Sequence, residues 1–323
     1  MSKRNIILFV VLALLVGGFM LKGYLDDQTV KKNIELENKS LLPGLTKDQI
    51  MELKIADTEK NTTVTLAKMG DQWVVKDKDN FPADKTLVDK AVEALPKLRF
   101  GHKVGEFTEE SKQKYGFDKA VEVTVQGKTI VMGQPAGARL PIKFENAIYL
   151  SPTNDRAIFA RYDGEWRERK LFPGQEPADV IAVKLAVAGQ PEITVTLDDK
   201  GEATVAGITG ADAQKAKSLL TAIGGLRVSS FIDTPPVTVG EVEKDKKMEP
   251  LAKGIVTVSF KNGATATLEL AGLKLKDKPD YLISKGGRVF GLSEYYYNKL
   301  AKPDLMPGSP TAPKAAVGKP VKK

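Results

Sequence analysis

From Ile6 to Leu21 the chain carries no charge, and twelve of those sixteen residues are Leu, Ile, Val or Phe. Past residue 50 the apolar positions alternate instead. Met51, Leu53 and Ile55 are followed by Val64 and Leu66, then by Trp73 and Val75, with Lys68-Met69-Gly70-Asp71 as a turn. Period two marks half-buried strands, so this stretch predicts a three-stranded meander. Pro82-Ala83-Asp84 then opens a helix with Asp84 as its cap, because Leu87, Val88, Ala91, Val92 and Leu95 share one face at 3.6-residue spacing. Pro96 should end it. A second helix is expected after Asp212, where Ala216, Leu219, Leu220 and Ile223 share a face and Gly224-Gly225 follow. The rest of the first half reads as strand at 121–125, 129–132, 147–150 and 158–162.

The two helical faces belong to a longer self-similarity. Leu41-Leu42-Pro43-Gly44 returns as Leu171-Phe172-Pro173-Gly174 and again as Leu305-Met306-Pro307-Gly308. Thr63-Val64-Thr65-Leu66 matches Thr194-Val195-Thr196-Leu197, and Gly70 matches Gly201. Further on, Ala83-Asp84, Leu98-Arg99, Val123-Thr124-Val125 and Tyr149-Leu150 match Ala211-Asp212, Leu226-Arg227, Val256-Thr257-Val258 and Tyr281-Leu282. The order is kept and the offset stays near 130, too long for a solenoid repeat, so each copy should be a domain or half-domain with its own core. The expected fold is α+β: an N-terminal transmembrane helix, then two repeated units, each an antiparallel sheet with one main helix. The expected divisions are an anchor over 1–25, a charged stalk over 26–40, units over 41–170 and 171–304, and a Pro/Ala/Lys tail over 305–323.

The N-terminal run follows Lys3-Arg4 and ends in Gly17-Gly18-Phe19-Met20-Leu21-Lys22, without the small-residue site of a cleaved leader. At roughly −0.3 to −0.6 kcal/mol per Leu, Ile, Val or Phe, its insertion into a bilayer is favoured by about 4 to 7 kcal/mol. Asn5 to Leu25 gives the length of a span if Lys22 snorkels and Tyr24 sits at the interface. Positive charge stays inside, so the N-terminus should be cytoplasmic and the bulk of the chain periplasmic or extracellular, on an inner-membrane anchor.

The net charge of +8 resides at the two ends: removing Lys3, Arg4, Lys22, Lys314, Lys319, Lys322 and Lys323 leaves 42 bases against 41 acids. The body therefore offers no basic face for nucleic acid. With no Cys and one His, thiol chemistry, zinc clusters and two-histidine metal sites are excluded. His102 reads as a strand histidine. Ser111 and Lys114 satisfy Ser-x-x-Lys, but among Glu109, Glu110 and Lys112, and without the companion motifs, they read as a charged surface turn. Asp77-Lys78-Asp79-Asn80 lacks the Gly and Glu of a calcium loop and suits a hairpin turn. Asp198 and Asp199, the pair a hydrolase would need, sit on a Gly turn. No catalytic residue, cofactor or metal site is expected. Two aromatic features stand out as possible contact surfaces: Tyr296, within Tyr295-Tyr296-Tyr297 read as strand, and Trp166, beside Arg167. The blander reading puts Phe290, Tyr295 and Tyr297 in the second core and stacks Trp166 on its neighbouring guanidinium.

The Leu-Pro-Gly entry, the Trp73 strand, Phe81-Pro82-Ala83-Asp84, and Tyr115-Gly116-Phe117 before a strand pair ending in Gly133 together resemble a bacterial family, domain of unknown function 4340. The likeness covers nearly all of 41–304, with the second unit lacking the Trp and the Tyr-Gly-Phe. The resemblance implies anchored envelope proteins, often near components of ABC-type transport and gliding-motility systems, and carries no catalytic residues. The expected role is a non-catalytic interaction or scaffold protein, an auxiliary subunit whose partners are the membrane and ABC-type transporter or other envelope proteins. The alternative is an extracytoplasmic binding module for an envelope polymer or small ligand.

Overall fold

The computed structural model of the protein describes residues 14–25, 37, 39–135, 137–233, 248–275 and 280–307. Most of the stalk, nearly all of the tail and the first part of the apolar run lie outside the described residues. Residues 14–25 form a helix, α1, on which Leu14, Leu15, Phe19, Met20, Leu21 and Tyr24 are exposed. Among the described residues no helix is long and apolar enough to cross a membrane. Beyond α1 the fold is α+β, with two antiparallel sheets and a few helices, and the chain divides into two compact units between Glu168 and Arg169.

The first unit holds strands β1 (Glu52–Asp57), β2 (Thr62–Met69), β3 (Gln72–Val75), β4 (Phe81–Pro82), β5 (His102–Glu106), β6 (Val121–Val125), β7 (Lys128–Met132), β8 (Leu140–Phe144) and β9 (Ala147–Ser151). They lie side by side in the order β4-β3-β2-β1-β6-β7-β8-β9-β5. The expected meander is present, although Met51 precedes β1 and is exposed. Helix α2 (Lys85–Ala94) begins where Asp84 accepts from the Leu87 amide, satisfying one of the orphan donors of the first turn. Its buried face, Val88, Ala91 and Val92, packs with Leu53, Ile55, Leu66, Val123, Ile130 and Ile142 on one side of the sheet. The chain leaves α2 through a 3-10 turn over Leu95–Lys97 that contains Pro96. A smaller cluster covers the other side: helix α3 (Glu109–Lys114) and the turn after it set Phe117 and Ala120 against Ile148, with Phe107, Tyr115 and Val131 around them.

The second unit holds β10 (Val180–Val187), β11 (Ile193–Leu197), β12 (Ala203–Ala206), β13 (Ser230–Phe231), β14 (Met248–Pro250), β15 (Gly254–Phe260), β16 (Thr265–Leu275), β17 (Tyr281–Lys285) and β18 (Arg288–Leu292). The order is β12-β11-β10-β15-β16-β17-β18-β13, with β14 pairing β16. From β3 to β5 the strand order repeats in the second unit, β10 standing where β1 stands and β15 where β6 stands, while among the described residues β4 and α3 have no counterpart there and β14 has none in the first unit. Helix α5 (Ala213–Gly224), capped by Asp212, buries Ala216, Leu219, Leu220 and Ile223. The Leu-Pro-Gly entries match in detail. The Leu41 amide bonds the Leu98 carbonyl at 3.0 Å and the Leu171 amide bonds that of Leu226 at 3.0 Å, while Gly44 and Gly174 both take positive φ.

Four sequence readings change. Residues 158–162 are not a strand: α4 (Arg156–Phe159) brings consecutive Ile158 and Phe159 to one core, as a helix can and a strand cannot. The three tyrosines lie on α6 (Glu294–Ala301) rather than on a strand. Tyr281-Leu282 belongs to β17, the counterpart of β8, whereas Tyr149-Leu150 belongs to β9, whose counterpart is β18, so this match is one strand out of step. Finally, Leu305, in the stretch read as the tail, is buried and packs with the second unit. Its carbonyl accepts from the Asp212 amide at 2.8 Å, as the Trp166 carbonyl accepts from the Asp84 amide at 2.8 Å. Trp166 and Leu305 are thus counterparts, each closing its own unit over the N-terminus of the main helix.

Candidate functional site

The polar groups that sequence reading singled out are engaged in local structure. The Ser111 hydroxyl accepts from the Thr108 amide at 2.7 Å and lies 2.9 Å from the Thr108 carbonyl, forming the N-terminal capping box of α3. Lys114 lies over the Tyr115 ring, 5.4 Å from its centroid. Asp77 accepts from the Thr65 amide at 2.6 Å, and Asp79 and Asn80 both take positive φ in the turn leading to β4. Asp198 accepts from the amides of Lys200 and Glu202 and so shapes the β11–β12 hairpin, while Asp199 is exposed. His102 is exposed on the edge strand β5. Among the described residues no group of three or more metal-ligating side chains converges.

The two aromatic candidates separate. Trp166 is fully buried, in the core that α2 covers, so its ring offers no surface to a ligand. Its indole Nε1 has no hydrogen-bond partner there. On α6 the turn of 100° per residue sends the rings three ways. Tyr297 points into the core, stacks on Tyr281 at 4.5 Å and donates to the Ala252 carbonyl at 3.3 Å; burial holds its phenol above the usual range, with Tyr281 adding to the effect. Tyr296 is half-buried and donates to the Gly225 carbonyl at 3.4 Å. The outward ring is that of Tyr295, 61% exposed, with Lys299 5.6 Å from its centroid.

Sequence reading missed the buried polar clusters. Asp280 is buried and accepts from Ser229 at 2.6 Å and Ser230 at 2.7 Å, fastening the edge strand β13 to the sheet. Asp57 is buried against Lys60, whose ammonium also donates to the Ala160 carbonyl at 2.6 Å. Lys285, in the β17–β18 hairpin, donates to the Leu171 carbonyl beneath the Phe172 ring, and burial holds its ammonium below the ordinary lysine range. Ser229-Ser230, at the start of β13, are adjacent in sequence, but their partner Asp280 lies about fifty residues away, so the cluster has no local pattern. A concavity of about 610 Å³ lies on the second unit's sheet, on the side away from α5, lined by Ala186, Val187, Ile255, Glu269, Leu270 and Ala271 among others.

The sequence profile of the family described as domain of unknown function (DUF4340) matches residues 73–253, more than half of the chain. The chain belongs to the DUF4340 family. The DUF4340 match begins at Trp73, in β3, and runs to Lys253, which borders the concavity. It therefore takes in most of the first unit and the α5 half of the second. No curated protein and no solved structure matches the chain.

Proposed function

We propose that the protein is a non-catalytic interaction or scaffold component, held in the inner membrane by its N-terminal segment and presenting two like units outside it to a transport or envelope assembly. The observation that carries this reading is the N-terminal segment: a charge-free apolar run behind Lys3-Arg4, continued by α1 with Leu14, Leu15, Phe19, Met20 and Leu21 all exposed. An apolar helix surface of that kind is favourable in a bilayer and unfavourable in water. Hydroxyls and carboxylates committed to caps, turns and strand fastening support a role without chemistry. The test is crosslinking in living cells of the full chain against a version lacking residues 1–25, read by mass spectrometry. Reproducible, anchor-dependent recovery of the same membrane-assembly subunits supports the reading. Recovery of the protein alone, or of the same partners without the anchor, overturns it.

A further inference from the structure

The hairpin between β15 and β16 turns through Lys261, Asn262 and Gly263, all exposed. The Gly263 amide donates to the Phe260 carbonyl at 2.9 Å, the Phe260 amide donates to the Ala264 carbonyl at 2.9 Å, and Gly263 takes a φ of +81°. A loop closed in this way favours glycine at its last place, because the left-handed conformation strains a residue with a Cβ. Asn262, just before it, is the only asparagine of the chain that glycine follows.

Two features prepare this pair for reaction. The Asn262 Oδ1 accepts from the Ala264 amide at 3.0 Å, so the side chain is folded forward along the chain rather than out into water. Closure of a five-membered ring between Cγ and the next nitrogen starts from that orientation. The same Ala264 amide sits on the oxygen that takes up negative charge when Cγ is attacked, and a donor already in place stabilises charge as it develops. Apart from its chain neighbours, no atom stands within 4 Å of where a Cβ on Gly263 would be, so nothing obstructs the turn as the ring closes. One bond opposes the reaction, since the Gly263 N–H must leave the Phe260 carbonyl. That bond closes an exposed turn, where backbone bonds open most readily.

We propose that Asn262 is a site of spontaneous covalent modification, converted in the folded protein to isoaspartate and aspartate through attack by the Gly263 nitrogen. This nitrogen gives its proton to hydroxide and bonds to Asn262 Cγ. The Cγ–Nδ2 bond breaks, and the nitrogen leaves as ammonia, taking a proton from water and restoring the hydroxide. Water then opens the cyclic imide. Attack at Cγ gives aspartate with the normal main chain, and attack at the Asn262 backbone carbon leaves the main chain running through Cγ as isoaspartate. Water is the only reagent consumed, and nothing is oxidised or reduced. Either product places a carboxylate beside Lys261, and isoaspartate also lengthens the main chain by a methylene. The extra length falls next to the bond from the Lys261 amide to the Asp179 carbonyl, 2.9 Å, which ties this hairpin to the turn before β10.

The first unit supplies an internal control. Its matching turn, between β6 and β7, holds Gln126-Gly127, where the side chain is one methylene longer and would have to close a larger, slower ring. The full-length protein is incubated in detergent at mildly alkaline pH and mapped by peptide mass spectrometry, beside the free capped peptide of residues 258–266. Asn262 should lose its amide at least tenfold faster than any other asparagine or glutamine, Gln126 included, and at a rate within tenfold of the free peptide or above it. Two products of equal mass should elute separately. Asn262→Gln should abolish both and, because residue 262 is exposed, keep the circular dichroism and unfolding midpoint. A folded-state rate more than tenfold below that of the free peptide overturns the proposal, because the turn then protects the side chain. So does comparable conversion at another asparagine or at Gln126.

Discussion

Gly133 and Ala271 occupy equivalent places, and the difference of one methyl group records what presses on each. Gly133→Ala should lower the stability of the first unit by about 1–3 kcal/mol, since backbone rather than a yielding side chain is in the way. Ala271→Gly should cost about 0.5–1 kcal/mol. Both tryptophans lie in the first unit, so their fluorescence during urea unfolding reads that unit alone. At the caps, Asp84→Ala and Asp212→Ala should each cost about 1 kcal/mol. Asp155, at the start of α4, behaves oppositely: burial raises its carboxyl above the ordinary range, against a smaller lowering by Lys97. A raised native value means the folded state holds the proton more tightly, so this contribution is present in acid and lost as pH rises through the native value. Asp155→Asn should therefore gain on the wild type as pH rises above the ordinary aspartate range, and the gain should level off once Asp155 is ionised in both states, as urea unfolding across pH measures. Caps at Asp84 and Asp212 were legible because each precedes a periodic apolar face. Burial of Trp166 was not, because Glu-Trp-Arg has no period and its place is set by the Asp84 amide, far away in sequence.

Strand alternation and helical spacing made most elements visible, and their failures have a common cause. Short helices such as α4 and α6 contain one turn or two, too little for a 3.6 period to outweigh a chance alternation. The match of Thr63-Val64-Thr65-Leu66 to Thr194-Val195-Thr196-Leu197 shows another limit. Ladder pairing aligns Val64 with Ile193 and Leu66 with Val195, two residues away from the sequence match. A slip of two keeps every side chain on its face, so pattern alone does not detect it. The units also differ by compensated exchanges. Lys285 stands where Phe144 stands, and Phe172 where Leu42 stands. Lys285→Phe alone should overpack the seat beneath Phe172 and cost about 1–3 kcal/mol. Adding Phe172→Leu should recover most of that loss, a coupling that a double-mutant cycle followed by calorimetry measures directly.

For the molecule as a whole, the sequence made the duplication and family legible because both rest on the order of several short motifs rather than on any one. It left the concavity on the second sheet hidden, since β10, β15 and β16, which line it, are not consecutive in the chain. Removing residues 1–25 should move the protein from the membrane pellet to the supernatant without changing the unfolding midpoint of either unit. Retention in the pellet would point to attachment through the body. The latches at Trp166 and Leu305 add a temporal consequence. Chains emerge from the N-terminus, and domains fold as units when their last required residue appears. Once Trp166 and the two residues after it have emerged, the first unit has its full set of contacts and can mature while its neighbour is still being made. The second stays open over the start of α5 until Leu305 arrives, so a nascent chain stalled before that point would carry one finished unit and one still sensitive to protease.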